Sequence, residues 1–190
     1  KITVKPSWQE YEKEENDEIV IEIDPGMAFG TGTHETTSLC VELLEKYSVD
    51  KENLLDIGCG SGILMLIGKK MGINNVDGID IDPNVKNVVI ENMQRNHINE
   101  NYNVIIGNLV DDVDEKYDII VSNILVDVLT QLLDSMETVL KDGAIIIFSG
   151  ILKEKSEDFI KMAETHSFIE IERKEKNKWS AVAFKYEKDK

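Results

Sequence analysis

The sequence predicts an α/β fold: a doubly wound, mostly parallel seven-stranded sheet finished by a C-terminal antiparallel hairpin. Three observations carry this. Apolar runs of strand length alternate with stretches of helical period, the pattern of a parallel sheet covered by helices. The runs are rich in Ile and Val rather than alternating with polar residues, as strands buried on both faces require. The first of them ends in a glycine cluster that opens onto a helical stretch. At 190 residues, the chain is long enough for one sizeable core and too short for two comfortable ones.

"TTSLCVELLEKY" (36–47) reads as the first helix and "NLLDIG" (53–58) as the first strand of the sheet. "GILMLIGKKMG" (62–72) follows as a helix, then the strand "NVDGID" (75–80) and the helix "PNVKNVVIENMQRN" (83–96), with Asp82 as N-cap and Pro83 at the first helical position. The strands "NVIIG" (103–107) and "YDIIVSNIL" (117–125) come next. "VDVLTQLLDSMETVLKDG" (126–143) reads as one helix closed by Gly143, followed by the strand "AIIIFSG" (144–150). "FIEIERKEKNKWSAVAFKY" (168–186) reads as two strands joined by a charged turn.

Composition narrows the partners. With 21 Lys and Arg against 37 Asp and Glu, the formal net charge of −16 repels phosphate backbones and attracts basic partners. Free nucleic acid is therefore a poor substrate. No run approaches the roughly 18–20 apolar residues of a membrane span, and no signal-peptide pattern opens the chain, so a cytoplasmic location is expected. Cys40 and Cys59 stand nineteen positions apart with no CxxC or paired His, and His34, His97 and His166 are scattered, so no metal site is expected.

Two glycine-rich stretches hold the chemistry. "DIGCGSG" (56–62) spaces Gly58, Gly60 and Gly62 two apart, and Ile63 stands where the dinucleotide fingerprint G-x-G-x-x-G needs its third glycine. The next strand ends in Asp80, twenty-two positions after Gly58, placed to accept hydrogen bonds from both hydroxyls of a ribose. A glycine turn opening onto a helix holds a carboxylate as readily as a phosphate, so an adenosine bearing an amino acid fits as well as a dinucleotide. Upstream, "DPGMAFGTGTHETT" (24–37) supplies a second glycine- and threonine-rich loop, consistent with a ligand held from both sides.

"LLDIGCGSGIL" followed by "GIDIDP" resembles the motifs of class I S-adenosylmethionine-dependent methyltransferases. With "DPGMAFGTGTHETTSLC" before them, "VSNIL" at the fourth strand and "FSGIL" at the fifth, the chain resembles, over nearly its whole length, the PrmA family, which methylates ribosomal large-subunit protein eleven. The resemblance implies S-adenosyl-L-methionine as cofactor and lysine side chains or an N-terminal amine of a basic ribosomal protein as acceptors. It implies that residues 1–190 are the catalytic domain alone, with residues 1–23 as linker and entry strand: such enzymes carry an N-terminal recognition domain joined by a linker, and this chain opens on Lys1 at the matching junction. It implies cofactor contacts from Phe29, Gly30, Thr31, Gly32, Thr33, His34 and Thr37 on one side. From the other come Asp56, Gly58, Gly60, Gly62, Asp80 and Ile81, with Gly107 and Asn108 by the adenine edge. Asn108 stands where an acid is common.

The resemblance makes Asn123 the catalytic position, continued by Ile124 and Leu125. Related amino-methylating enzymes follow this Asn or Asp with two prolines and an aromatic ring; here the amide is kept and the rest is absent. An amine acceptor needs only to lose its proton and align, so Asn123 is expected to orient the nitrogen rather than deprotonate it. Duller roles compete: a turn for Gly26, Gly30 and Gly32, a surface role for His34, packing for Trp8, gap-filling for Met27 and Met65. A methyltransferase of another substrate and a non-catalytic cofactor-binding module stay open. A nicotinamide dehydrogenase would share Asp80 but should show the full fingerprint.

Overall fold

The computed structural model describes residues 1–24 and 35–188; Gly26, Met27, Phe29, Gly30, Thr31, Gly32, Thr33 and His34 lie outside the described residues. Seven strands form the main sheet in the order β5-β4-β3-β6-β7-β9-β8. β3 (Asn53–Ile57), β4 (Asn75–Asp80), β5 (Tyr102–Ile106), β6 (Tyr117–Asn123) and β7 (Leu140–Leu152) are parallel, and the hairpin of β8 (Phe168–Lys176) and β9 (Trp179–Tyr186) pairs antiparallel onto β7. The chain builds outward from β3 to β5 and then returns to lay β6 on the other side of β3. That reversal opens a crevice at the carboxyl ends of β3 and β6.

Both faces of the sheet are buried, and neighbouring residues of a strand enter opposite layers. Leu54, Ile119, Ile145 and Ile147 meet α1 (Glu35–Tyr47), α2 (Ile63–Lys70) and α3 (Val85–Arg95). Leu55, Ile120, Ile146 and Phe148 meet α4 (Val126–Leu133) and α5 (Lys153–Glu164). This two-sided burial is why the strands read as unbroken apolar runs. Gly78, inside β4, marks a tight contact between sheet and helix layer: a Cβ there would lie 2.5 Å from Met65 Sδ and 2.8 Å from Cys59 Sγ. Gly78→Ala is expected to destabilise the fold by about 1–3 kcal/mol through overpacking, read from the urea midpoint; an unchanged midpoint would show that these sulfurs yield freely.

Three local expectations are revised. Residues 126–143 do not form one helix: α4 stops at Leu133, a 3₁₀ turn covers Met136–Val139, and Leu140 already belongs to β7, paired with Tyr117. Buried Met136, Val139 and Leu140 continue the apolar pattern, but the sheet claims the last of them. Gly143 does take a positive φ of 75°, within β7, where the register jumps from Tyr117/Leu140 to Ile119/Ile145. The helix α5, charged over most of its length, packs Phe159, Ile160 and Ala163 and was not anticipated. α3 is regular from Val85, yet its leading turn starts on Asp82, whose Oδ1 accepts the Asn84 N–H at 2.9 Å and whose carbonyl accepts the Val85 N–H at 3.1 Å.

Residues 1–24 add a separate two-stranded parallel sheet, β1 (Ile2–Pro6) and β2 (Ile19–Ile23), whose Ile21 and Ile23 enter the α2–α3 layer. Buried Glu18 organises the intervening segment: its carboxylate accepts hydrogen bonds from the Thr3 hydroxyl, the Tyr11 hydroxyl (2.7 Å) and the Glu14 N–H (2.8 Å). The Thr3 bond above all lowers its pKa to about 2.

Candidate active site

The glycine turn that joins β3 to α2 has the conformation its spacing implies. Gly58, Gly60 and Gly62 take φ of 75°, 52° and 79°, a region costly for any residue with a Cβ. The Gly58 and Cys59 N–H groups donate to the Ile79 carbonyl at 2.8 and 3.2 Å, and the Gly62 N–H donates to the Cys59 carbonyl at 2.8 Å. Asp80, ending β4, is built into this turn. Its Oδ2 accepts the Gly60 N–H and its Oδ1 the Asp82 N–H, each at 3.0 Å. Its carbonyl also accepts the Gly107 N–H at 3.0 Å, which ties the end of β5 to the same place.

Beneath the turn, Asp56 on β3 is 1% exposed, and its Oδ2 is buried with no hydrogen-bond partner. Burial, reinforced by the charge of Asp80 and opposed by the Met65 N–H, raises its pKa from 3.8 to about 8. Such a carboxyl holds its proton more tightly folded than unfolded. Its contribution to stability is therefore fully present below about 3.8, falls as pH rises and is lost by about 8. Asp56→Asn is expected to remove this slope, so that the Tm of the variant gains on that of the wild type between pH 5 and 8. A constant difference across that range would place the titration elsewhere.

Across the crevice, β6, β7 and α1 converge on Asn123. Its Nδ2 donates to the hydroxyl of buried Thr37 at 3.1 Å. The base is stitched by two buried serines: Ser122 Oγ donates to the Ile57 carbonyl at 2.8 Å and Ser149 Oγ to the Thr36 carbonyl at 2.7 Å. Gly150, at φ 83°, leaves room for the Asn123–Ile124 backbone: a Cβ there would lie 2.5 Å from the Ile124 carbonyl oxygen and 3.3 Å from Asn123 Oδ1. Ile124 in turn covers Gly58, where a Cβ would lie 2.5 Å from its Cγ2. The two walls of the crevice thus touch at Gly58 and Ile124.

Thr37, Asp56, Gly58, Gly60, Gly62, Asp80, Ile81, Gly107, Asn108, Asn123, Ile124 and Leu125 all lie at or directly beneath the carboxyl ends of the parallel strands. Ile81 and Leu125 are 72% and 71% exposed, an unusual placement for large apolar side chains that leaves them available to a ligand. Asn108 is exposed and donates to Asp111 Oδ2 at 3.2 Å. Trp8 is 73% exposed and is not buried against the described residues. Met65 is buried in the core against Gly78. Sequence reading did not single out Gly150 or Asn92. For Asn92 a signal existed, a polar residue on the apolar stripe of α3 between Val89 and Met93.

Cys40 and Cys59 are free and buried, and burial above all pushes both thiols up. Among the described residues no group of three His, Cys, Asp or Glu is placed to hold a metal ion. No helix among them is long and apolar enough to cross a membrane.

Comparison with known proteins bears on this site. A family model described as ribosomal protein L11 methyltransferase (PrmA) matches residues 1–187. A protein named ribosomal protein L11 methyltransferase from Fusobacterium nucleatum subsp. nucleatum is 46% identical over 187 residues, 97% of this chain and 60% of that protein. One of the same name from Clostridium perfringens is 42% identical over 185 residues, 97% of this chain and 58% of that protein. The chain thus spans three fifths or less of the length of these curated relatives. A solved structure of ribosomal protein L11 methylase from Lactobacillus delbrueckii subsp. bulgaricus aligns with a TM-score of 0.92 at 30% identity, over 98% of this chain and 95% of that one.

Proposed function

The chain belongs to the ribosomal protein L11 methyltransferase (PrmA) family, and from that premise we propose that it transfers methyl groups from S-adenosylmethionine to amines of a basic ribosomal large-subunit protein. One observation carries the reading: a positive-φ glycine turn locked to Asp80 faces, across a single crevice, an asparagine amide locked to Thr37. Residues 1–190 are read as the catalytic domain, and the net charge of −16 suits a lysine-rich partner.

The residues fit the cofactor. Asp80 has lone pairs beyond its two backbone bonds with which to accept ribose hydroxyls. The turn from Gly58 to Gly62 presents bare backbone for the amino-acid tail, and the unpartnered Asp56 Oδ2 beneath it suits a nearby ammonium. Exposed Ile81 offers an apolar surface to the adenine, with Gly107 and Asn108 at its edge. When bound, S-adenosylmethionine supplies an electrophilic methyl on a sulfonium sulfur.

The chemistry asked of the protein is then modest. With Asn123 Nδ2 engaged by Thr37, its Oδ1 has no hydrogen-bond partner among the described residues, and both it and the Ile124 carbonyl border Gly150. Two oxygens accepting N–H bonds orient an incoming amine and aim its lone pair, while Leu125 gives an apolar flank. A lysine is protonated at pH 7, with an unperturbed pKa of ~10.4. Acceptor oxygens cannot remove that proton, so desolvation in the crevice must lower the pKa and water must carry the proton away.

Radiolabelled methyl transfer tests the reading. Label is expected on lysine or N-terminal amines of ribosomal protein L11, mapped by mass spectrometry, and not on transfer RNA offered alongside. Label on the RNA, or on carboxyl or amide groups of the protein, would overturn it.

A further inference from the structure

Asn92 lies in the middle of α3, 1% exposed, and does not reach the crevice. Its side-chain amide nevertheless makes three hydrogen bonds to two separate segments. Oδ1 accepts the Asp24 N–H at 2.9 Å; Nδ2 donates to the Asp24 carbonyl at 3.0 Å and to the Ser61 carbonyl at 3.0 Å. Asp24 follows β2 and opens the glycine- and threonine-rich stretch, and Ser61 sits between Gly60 and Gly62. A primary amide can do this because it carries two donors and an acceptor on one planar group; a carboxylate has no donor and an ammonium no acceptor. One helical turn earlier Val89 supports the same place, since a Cβ on Gly62 would lie 3.0 Å from its Cγ1.

Resting on the reading given above, we propose that Asn92 is a positioning residue for S-adenosylmethionine binding: it holds the backbone at Asp24 in register with the glycine turn, without touching the ligand. Asn96 supplies the contrast. It grips β2 in the same way, with Oδ1 accepting the Glu22 N–H at 2.9 Å and Nδ2 donating to the Glu22 carbonyl at 2.6 Å. Its second N–H, however, goes to the Asn92 carbonyl at 2.8 Å and not to the glycine turn. Asn92 within α3 and Asn96 at its C-cap share a bonding pattern and near-complete burial. Only Asn92 reaches the turn.

The test compares Asn92→Ala, Asn92→Asp and Asn96→Ala with wild type in three measurements: Tm, calorimetric affinity for S-adenosylhomocysteine, and hydrogen exchange of the Gly58, Gly60 and Gly62 amides. All three variants are expected to lower Tm. Both Asn92 variants should weaken affinity roughly tenfold and speed exchange in the turn, the aspartate because it keeps the acceptor and loses both donors. Asn96→Ala should hold affinity within about twofold and leave exchange in the turn unchanged. Equal affinities for the Asn92 and Asn96 variants would reduce Asn92 to a core residue and overturn the proposal. If Asn92→Ala does not fold, the aspartate variant carries the comparison. A wild type that fails to bind S-adenosylhomocysteine, with an intact fold, would instead sink the functional reading itself.

Discussion

Asn123→Ala is expected to fold, to bind S-adenosylmethionine with an affinity changed less than by loss of Asp80, and to transfer methyl groups about a hundredfold or more slowly than wild type. The asymmetry follows from when the amide acts. Its Nδ2 is engaged by Thr37 in the structure, which leaves Oδ1, and in the proposed reading Oδ1 meets the acceptor nitrogen as that nitrogen aligns with the methyl. Removing a group used mainly in the transition state lowers kcat and kcat/KM together and leaves ground-state binding largely alone. Thr37 tests the orientation separately. Thr37→Val keeps the branched shape in a buried site but removes the hydroxyl that accepts the amide, freeing Asn123 to rotate; Thr37→Ser restores the hydroxyl and should restore most of the rate. Single-turnover transfer to ribosomal protein L11, beside calorimetric cofactor binding, separates the cases. An Asn123→Ala enzyme as fast as wild type would move the chemistry elsewhere.

Asp80→Ala should have the opposite signature, a loss of binding. Charged acceptors of hydrogen bonds contribute roughly 1.5–3 kcal/mol each, so affinity for both S-adenosylmethionine and its demethylated product should fall about ten- to a hundredfold. Asp80 acts twice: besides any ribose contact, its carboxylate holds the Gly60 and Asp82 N–H groups, so the alanine variant also loosens the turn. Asp80→Asn keeps one acceptor oxygen and should lose less. Isothermal titration across the three proteins decides it, and an unchanged dissociation constant for Asp80→Ala would remove the residue from the site.

Much of this was legible in the chain alone. Unbroken Ile- and Val-rich runs dictated strands buried on both faces, because each strand sends neighbouring side chains into opposite layers. The two-residue spacing of Gly58, Gly60 and Gly62 marked a glycine-rich turn opening onto a helix, and the structure gives each a positive φ, which glycine takes without strain. Local chemistry of this kind is written in the residues that perform it. The hairpin was legible for the same reason, with Asn177 at φ 52° tolerating its turn.

Other features depended on distant partners. Residues 136–140 have an apolar pattern that suits a helix or a strand, and pairing of Leu140 with Tyr117 drew the last of them into the sheet. Asn123 and Thr37 lie 86 positions apart, and no spacing rule links them; the hydrogen bond that orients the amide exists because α1 packs against β6 and β7. Asn92 stands out in the chain only as a polar residue on the apolar stripe of α3; its partners, Asp24 and Ser61, lie 68 and 31 positions away and are brought to its one amide by the fold. The sequence by itself determined the apolar centres of the main-sheet strands, the glycine-rich turn and the acid that follows it, because those rest on backbone sterics and solvent exclusion acting over a few residues. Only the tertiary structure decided which buried polar groups meet, because a buried donor or acceptor must find its partner wherever the fold delivers one.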